Sequence, residues 1–139
     1  MTARTSTPPK TALVVASDLE ALTAFQSALT SNGYVAIIAR DLPTALLAIT
    51  QHYFDVAIVS SRLGEGGDGW PLAGVLHLVF PRAFIGVLTP GEPDVGTFQA
   101  AINNGVSELY EQSRRPADIV GAMVGGSSGG AASSGNTVQ

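Results

Sequence analysis

The segment Asp55 to Trp70, DVAIVSSRLGEGGDGW, carries residue types from which phosphate chemistry is built. An apolar run ends in Ser60 and Ser61 and enters a glycine-rich loop. Gly64, Gly66 and Gly69 satisfy the spacing G-x-G-x-x-G, in which backbone N–H groups at a helix start cradle a phosphate. The dinucleotide form of that loop follows a first strand, whereas this one follows a third. Glu65 and Asp68 would also repel a phosphate. The plainer reading is a turn over the top of a sheet. No Gly-Lys-Ser/Thr occurs, so a Walker-type loop is excluded. The loop Ala16 to Glu20, after the first strand, has no glycine and is a poor flavin or dinucleotide cradle. A serine becomes a nucleophile only beside a base, and no histidine is placed to serve Ser60 or Ser61.

Other reactive side chains are few. The chain has no cysteine, which removes disulfides, thiolate catalysis and cysteine-based zinc sites. His52 and His77 lack a second histidine or a carboxylate at ligand spacing, so structural roles are favoured over metal binding. Arg114 and Arg115 could hold an anion, although a solvated loop is the plainer account. Trp70 could cover a pocket or meet a partner, with packing as the plainer account. The net charge is −4 and the seven Lys and Arg form no basic stripe, which argues against nucleic-acid binding by this domain. Charged residues make up 13% of the chain, against roughly 25% in ordinary soluble domains. Hydrophobic residues make up 45%, enough for a core. The start, MTARTSTPPK, lacks the apolar centre of a signal peptide. No apolar run reaches the ~18 residues that suggest a membrane span. A cytoplasmic protein without membrane association is expected.

The elements that must position these residues follow from periodicity. Ala12–Ala16, Tyr34–Ala39, Asp55–Val59, Ala83–Thr89 and Val106–Tyr110 read as strands, the first four as buried apolar runs and the last as short and weak. Between them lie helical patterns. Ser17 opens the first with S-x-x-E capping spacing, and Leu22, Phe25 and Leu29 follow at helical intervals until Asn32-Gly33 ends it. Asp41 caps the second, whose Leu42, Leu46 and Ile49 line one face. Leu72, Val75, Leu76 and Val79 mark a third, Val95 to Asn104 with Phe98 and Ile102 a fourth, and Ile119, Val120 and Met123 a fifth. Alternation of this kind predicts an α/β fold: a (βα)5 doubly wound parallel five-stranded sheet in the flavodoxin-like order 2-1-3-4-5. The expected organisation is a disordered segment over 1–10, one domain over 11–124, and a flexible Gly/Ser-rich tail or linker over 125–139. In such a sheet a site forms at the carboxyl ends of the strands. Those ends are Ala16 to Asp18, Ser60-Ser61, Thr89-Pro90 and Tyr110 to Ser113.

This arrangement resembles the receiver domain of bacterial response regulators. The resemblance spans about Ala12 to Val124. It rests on ALVVASDLE, the Asn32-Gly33-Tyr34 turn, DVAIVS leading to Asp68-Gly69, FIGVLT, and Gly105-Val106 before the last strand. Receivers work by aspartyl phosphorylation. An acidic pair after the first strand helps hold Mg²⁺, an aspartate ending the third strand accepts the phosphoryl group, a Thr or Ser ends the fourth, and a Lys follows the fifth. On this chain the acidic pair falls on Ala16 and Ser17, the acceptor on Ser60, the hydroxyl on Thr89 and the lysine on Gln112. The aromatic switch position falls on Leu109.

Only Thr89 keeps its type. Mg²⁺ wants hard oxygens, normally carboxylates. Asp18 alone is a poor anchor, and Ser60 cannot form an acyl phosphate. The resemblance therefore implies an atypical receiver without enzymatic activity, cofactor or metal. It would act in two-component or phosphorelay signalling as a phosphorylation-independent protein-interaction module. Its partner would be another protein or an output domain. Homodimerisation through the fourth helix, fifth strand and fifth helix is the candidate geometry, with Phe98, Leu109 and Tyr110 on that face. Two alternatives stand beside it. One is a small-ligand or nucleotide sensor whose vacated pocket is lined by Ser17, Ser60, Thr89 and Gln112. The other is a conventional phosphoreceiver built from unusual residues. A flavodoxin-like enzyme is least supported, since neither a catalytic dyad nor a cofactor loop is visible.

Overall fold

A computed structural model describes residues 10–63 and 68–129. Five strands alternate with five helices: β1 (Lys10–Val15), α1 (Leu19–Ser31), β2 (Tyr34–Ala39), α2 (Leu42–Gln51), β3 (Val56–Ser60), α3 (Trp70–Val79), β4 (Phe84–Thr89), α4 (Val95–Asn103), β5 (Glu108–Glu111) and α5 (Pro116–Gly129). The strands form one sheet in the order β2-β1-β3-β4-β5 with every pairing parallel. This is the expected order. It places the carboxyl ends of β1 and β3, the strands on either side of the point where the order reverses, next to one another.

Strand alternation divides the core into two layers, because successive side chains point to opposite faces. Leu13, Val15, Ala57, Val59, Ile85 and Val87 pack with α2 and α3. Ala12, Val14, Val56, Ile58, Leu88 and Tyr110 pack with α1 and α5. Every residue of β3 is buried, as a central parallel strand covered on both faces requires.

The helix faces depart from expectation at several points. On α1, Leu22, Phe25 and Leu29 are buried as their spacing predicts. The cap is Asp18 rather than Ser17, and its carboxylate accepts the Glu20 N–H at 3.2 Å. On α2 the buried residues are Ala45 and Ala48. Leu42 and Ile49 pack only partly, and Leu46 is 44% exposed. Small alanines let the helix lie close to the sheet and rotate Leu46 outward. On α3, Leu72, Ala73 and Leu76 are buried, while Val79 turns to solvent. On α4 only Ala101 is buried, which leaves Val95, Phe98 and Ile102 at 76%, 52% and 77% exposure. β1 begins at Lys10, one residue inside the segment expected to be disordered, and residues 1–9 lie outside the described residues. The backbone of α5 continues to Gly129, past the boundary expected at Val124. The rest of the expected tail, 130–139, and the glycine-loop residues 64–67 lie outside the described residues.

Two glycines take the left-handed conformation that closes these helices: Gly33 at φ 88° after α1 and Gly105 at φ 69° after α4. Asp41 and Asp94 cap α2 and α4, accepting the N–H groups of Thr44 and Thr97, each at 2.9 Å. The Asp41 carboxyl is held below its usual range by bonds from the Thr44 hydroxyl and N–H. Asp94 is held low by the N–H and hydroxyl of Thr97. A carboxyl with a depressed folded pKa stabilises the fold above its unfolded pKa of about 3.9, and the contribution fades as pH falls through the folded value. Asp94→Ala should therefore lower the urea midpoint at pH 7, and the gap from wild type should narrow in acid. A gap that stays constant down to pH 2 would assign the effect to something other than the carboxylate cap.

Candidate functional site

The carboxyl ends of β1, β3 and β4 converge on one edge of the molecule. At the end of β1, Ala16 is buried and its N–H donates to the Ala39 carbonyl at 3.2 Å. Ser17 is exposed, and its carbonyl accepts the Arg40 guanidinium at 3.3 Å. At the end of β3, Ser60 is 2% exposed, and its hydroxyl donates to the Arg62 carbonyl at 2.8 Å. That bond folds the side chain back into its own loop. Ser61 continues the parallel ladder, its N–H donating to the Leu88 carbonyl at 2.9 Å, while its own carbonyl accepts the Gly69 N–H at 3.0 Å. Arg62 and Asp68 pair as an isolated antiparallel bridge, which draws the two ends of the glycine loop together.

Thr89 ends β4 and is buried. Its hydroxyl donates to the Gly91 carbonyl at 2.7 Å and lies 3.4 Å from the Tyr110 carbonyl. Gln112 follows β5, exposed, with its N–H donating to the Thr89 carbonyl at 2.7 Å. Leu109 is half-buried and packs on the α2–α3 side of the sheet. Tyr110 is buried on the opposite side, among residues of α1 and α5. Its expected place on a partner face is therefore wrong, since neighbours in a strand cannot share a face. Burial, reinforced by the charge of Glu108, pushes the Tyr110 phenol up to about 12, against the opposing pull of Arg114. The Arg114 guanidinium lies 5.7 Å from the centre of that ring.

The polar residues expected to line a single vacated pocket are divided. A cavity of about 260 Å³ between the β3–α3 and β4–α4 loops is lined by Ser61, Arg62, Asp68, Trp70, Thr89 and Thr97, with Pro90. A second, of about 220 Å³, lies between the start of α1 and the start of α5 and takes in Ala16, Asp18, Glu20, Gln112 and Pro116. Thr89 and Gln112 are thus in different cavities, and Ser17 and Ser60 line neither. The expectation of a vacated pocket puts Ser60 in its lining, whereas Ser61 lines the cavity beside Thr89. Strand alternation was the signal for this, because adjacent serines must point opposite ways. Trp70 both packs on the core and lines the first cavity.

The remaining candidates are structural. His77 lies against Gly105, where an added Cβ would fall 2.3 Å from its ring. The His52 ring lies 5.9 Å from that of Phe54. Arg115 pairs with Asp118 at 3.4 Å, both exposed. Among the described residues, no group of three or more His, Asp or Glu is placed to hold a metal ion. None of the described helices is long and apolar enough to cross a membrane.

With five parallel strands in the order 2-1-3-4-5 and a site edge built from the ends of β1, β3 and β4, the chain has the fold of a response-regulator receiver domain. It is similar to the receiver domain of an HD-domain-containing protein from Pseudomonas fluorescens Pf-5, at 25% identity and a TM-score of 0.74, covering 90% of this chain and 91% of that one. A CheY-like receiver domain protein from Methanospirillum hungatei JF-1 matches at 21% identity and a TM-score of 0.76, covering 85% and 93%. A response regulator from Burkholderia pseudomallei matches at 24% identity and a TM-score of 0.75, covering 86% and 69%; its structure contains a phosphorylated aspartic acid, a calcium ion and citrate. No protein-family model and no curated protein matches the chain.

Proposed function

We propose that this domain is a degenerate receiver that signals without aspartyl phosphorylation, as a cytoplasmic protein-interaction module in a two-component or phosphorelay system. The observation that carries this reading is that β3 ends in Ser60 and Ser61, so neither residue brings a carboxylate to the strand end where a receiver carries its acceptor aspartate. Ser60 is the last residue of the strand. It is buried, and its hydroxyl is committed to the Arg62 carbonyl. A hydroxyl cannot form the acyl phosphate a carboxylate forms, and no base stands beside it. Ala16 and Ser17 bring no carboxylate for Mg²⁺, and Gln112 brings no positive charge for a phosphoryl group. The domain has no catalytic activity of its own in this account.

What remains of the receiver is its shape and its α4–β5 surface. There a groove of about 330 Å³ is lined by Pro93, Phe98, Ala101, Ile102, Val106 and Leu109, with Ser107 and Glu108. Phe98 and Ile102 stand exposed at its edge. A mainly apolar groove with a polar rim, between a loosely buried helix and an edge strand, suits a partner protein, an output domain or a second copy. Switching would then be a population shift set by what binds that face.

The chemical half of the proposal is tested by intact mass. After incubation with Mg²⁺ and acetyl phosphate, a small acyl-phosphate donor, the chain should keep its unmodified mass. A phosphoryl increment that is lost on treatment with hydroxylamine would mean that a carboxylate of this chain is an acceptor.

A further inference from the structure

The cavity between the β3–α3 and β4–α4 loops contains polar groups that the fold does not use. Ser61 is 5% exposed and lines the cavity, yet its hydroxyl has no hydrogen-bond partner among the described residues. A buried donor left unpaired is costly and rare in folded proteins. The Trp70 indole N–H also lacks an acceptor among the described residues, and the Arg62 guanidinium makes no ion pair there. No side chain caps α3, whose first residue is Trp70. The unused groups at this cavity are therefore mainly hydrogen-bond donors, and one of them is a cation. Thr89 and Thr97 already donate within the protein, to Gly91 and Asp94.

We propose that this cavity binds a small organic carboxylate. The Arg62 fork and the Ser61 hydroxyl take the carboxylate oxygens, and the flat body of the ligand lies against Trp70 and Pro90. Arginine suits a carboxylate because its planar donors match two oxygens at once. Asp68, also on the cavity wall, decides between anions. Its charge opposes a phosphate dianion more strongly than a monoanion and can accept from a hydroxyl or amino group elsewhere on the ligand. At about 260 Å³ the cavity is below the ~300–1,000 Å³ of drug-sized pockets and admits a single-ring molecule. This site uses Ser61, Arg62 and Trp70 where a vacated receiver pocket was expected to use Ser17, Ser60 and Gln112. It does not depend on the interaction reading above. A ligand here, joined to the first residue of α3 and the loop before α4, would bias the position of α4.

Trp70 is the one tryptophan of the chain, so its indole N–H gives a single resonance that reports directly on the cavity. The probe is benzoate, titrated into the whole chain, with benzamide as its uncharged counterpart and inorganic phosphate as the competing anion. Benzoate should shift the indole resonance saturably, and benzamide and phosphate should bind at least about tenfold more weakly. Arg62→Gln should weaken benzoate by about tenfold or more. Ser61→Ala should weaken it too, without lowering the melting temperature, because the hydroxyl it removes has no partner in the fold. The proposal is overturned if benzoate gives no saturable shift, if benzamide binds as well as benzoate, if phosphate binds in preference, or if Arg62→Gln binds like wild type.

Discussion

Ser60→Asp should cost the domain about 3–5 kcal/mol at neutral pH, the penalty of an uncompensated buried charge, and should not restore an acceptor. The position is 2% exposed, and the group facing it is the Arg62 carbonyl, which repels a carboxylate as it attracts a hydroxyl. A working receiver relieves such a charge with a metal ion and a lysine. Here Ala16, Ser17 and Gln112 supply neither. Burial without a partner would raise the new aspartate's folded pKa above its unfolded value of about 3.9. The sign follows. A group with a raised folded pKa favours the fold below its unfolded pKa and loses that support as pH rises. The variant should therefore approach wild-type stability near pH 4 and fall furthest behind at pH 7. Urea unfolding at both values checks this. A variant as stable as wild type at pH 7 would show that the site still neutralises a carboxylate.

Gly69→Ala is the second large effect. The residue has an ordinary φ of −85°, so backbone strain is not the cause. The cause is contact: a Cβ there would lie 2.0 Å from the Ser60 carbonyl oxygen and 2.9 Å from Val59 Cγ1. Both are parts of the central strand β3 and cannot yield as the end of a flexible side chain would. Loop and strand must separate, and the Gly69 N–H bond to the Ser61 carbonyl is lost with them. A loss of about 3 kcal/mol is expected, at the upper end of common overpacking costs. Chemical denaturation measures it. Because the separation also opens the cavity beside Trp70, the indole resonance should move as well. A variant of unchanged stability with an unmoved indole would mean that the glycine loop is not seated on β3.

The sequence made the sheet legible because parallel strands buried on both faces read as continuous apolar runs. Tyr34–Ala39 has the bounds its residues suggest, and Val56–Ser60 is shifted by one. Helix faces were less legible. Leu46 on α2 has core spacing, but Ala45 and Ala48 let the helix approach closely and turn Leu46 outward. At the site, the residue types at the strand ends, Ala16, Ser17, Ser60 and Ser61 among them, could be read directly. What could not be read from types alone was direction. By type alone, Leu109 and Tyr110 read as one face, and Ser60 reads with the other polar groups of a single pocket. Strand alternation separates Tyr110 from Leu109 and puts Ser61, not Ser60, in the cavity. Arg62 and Thr97 reach that cavity through loop closure across the Arg62–Asp68 bridge and the cap of α4, which depend on tertiary contacts.

The central proposal is that the receiver fold persists here without its phosphorylation chemistry. An amide NMR titration with Mg²⁺, followed by Mg²⁺ with beryllofluoride as the mimic of an aspartyl phosphate, tests it most directly. The amides of Ser17, Ser60 and Thr89 should stay in place through both steps. Saturable shifts at those residues, carried on into α4 and β5, would contradict the proposal and show a working phosphoryl switch.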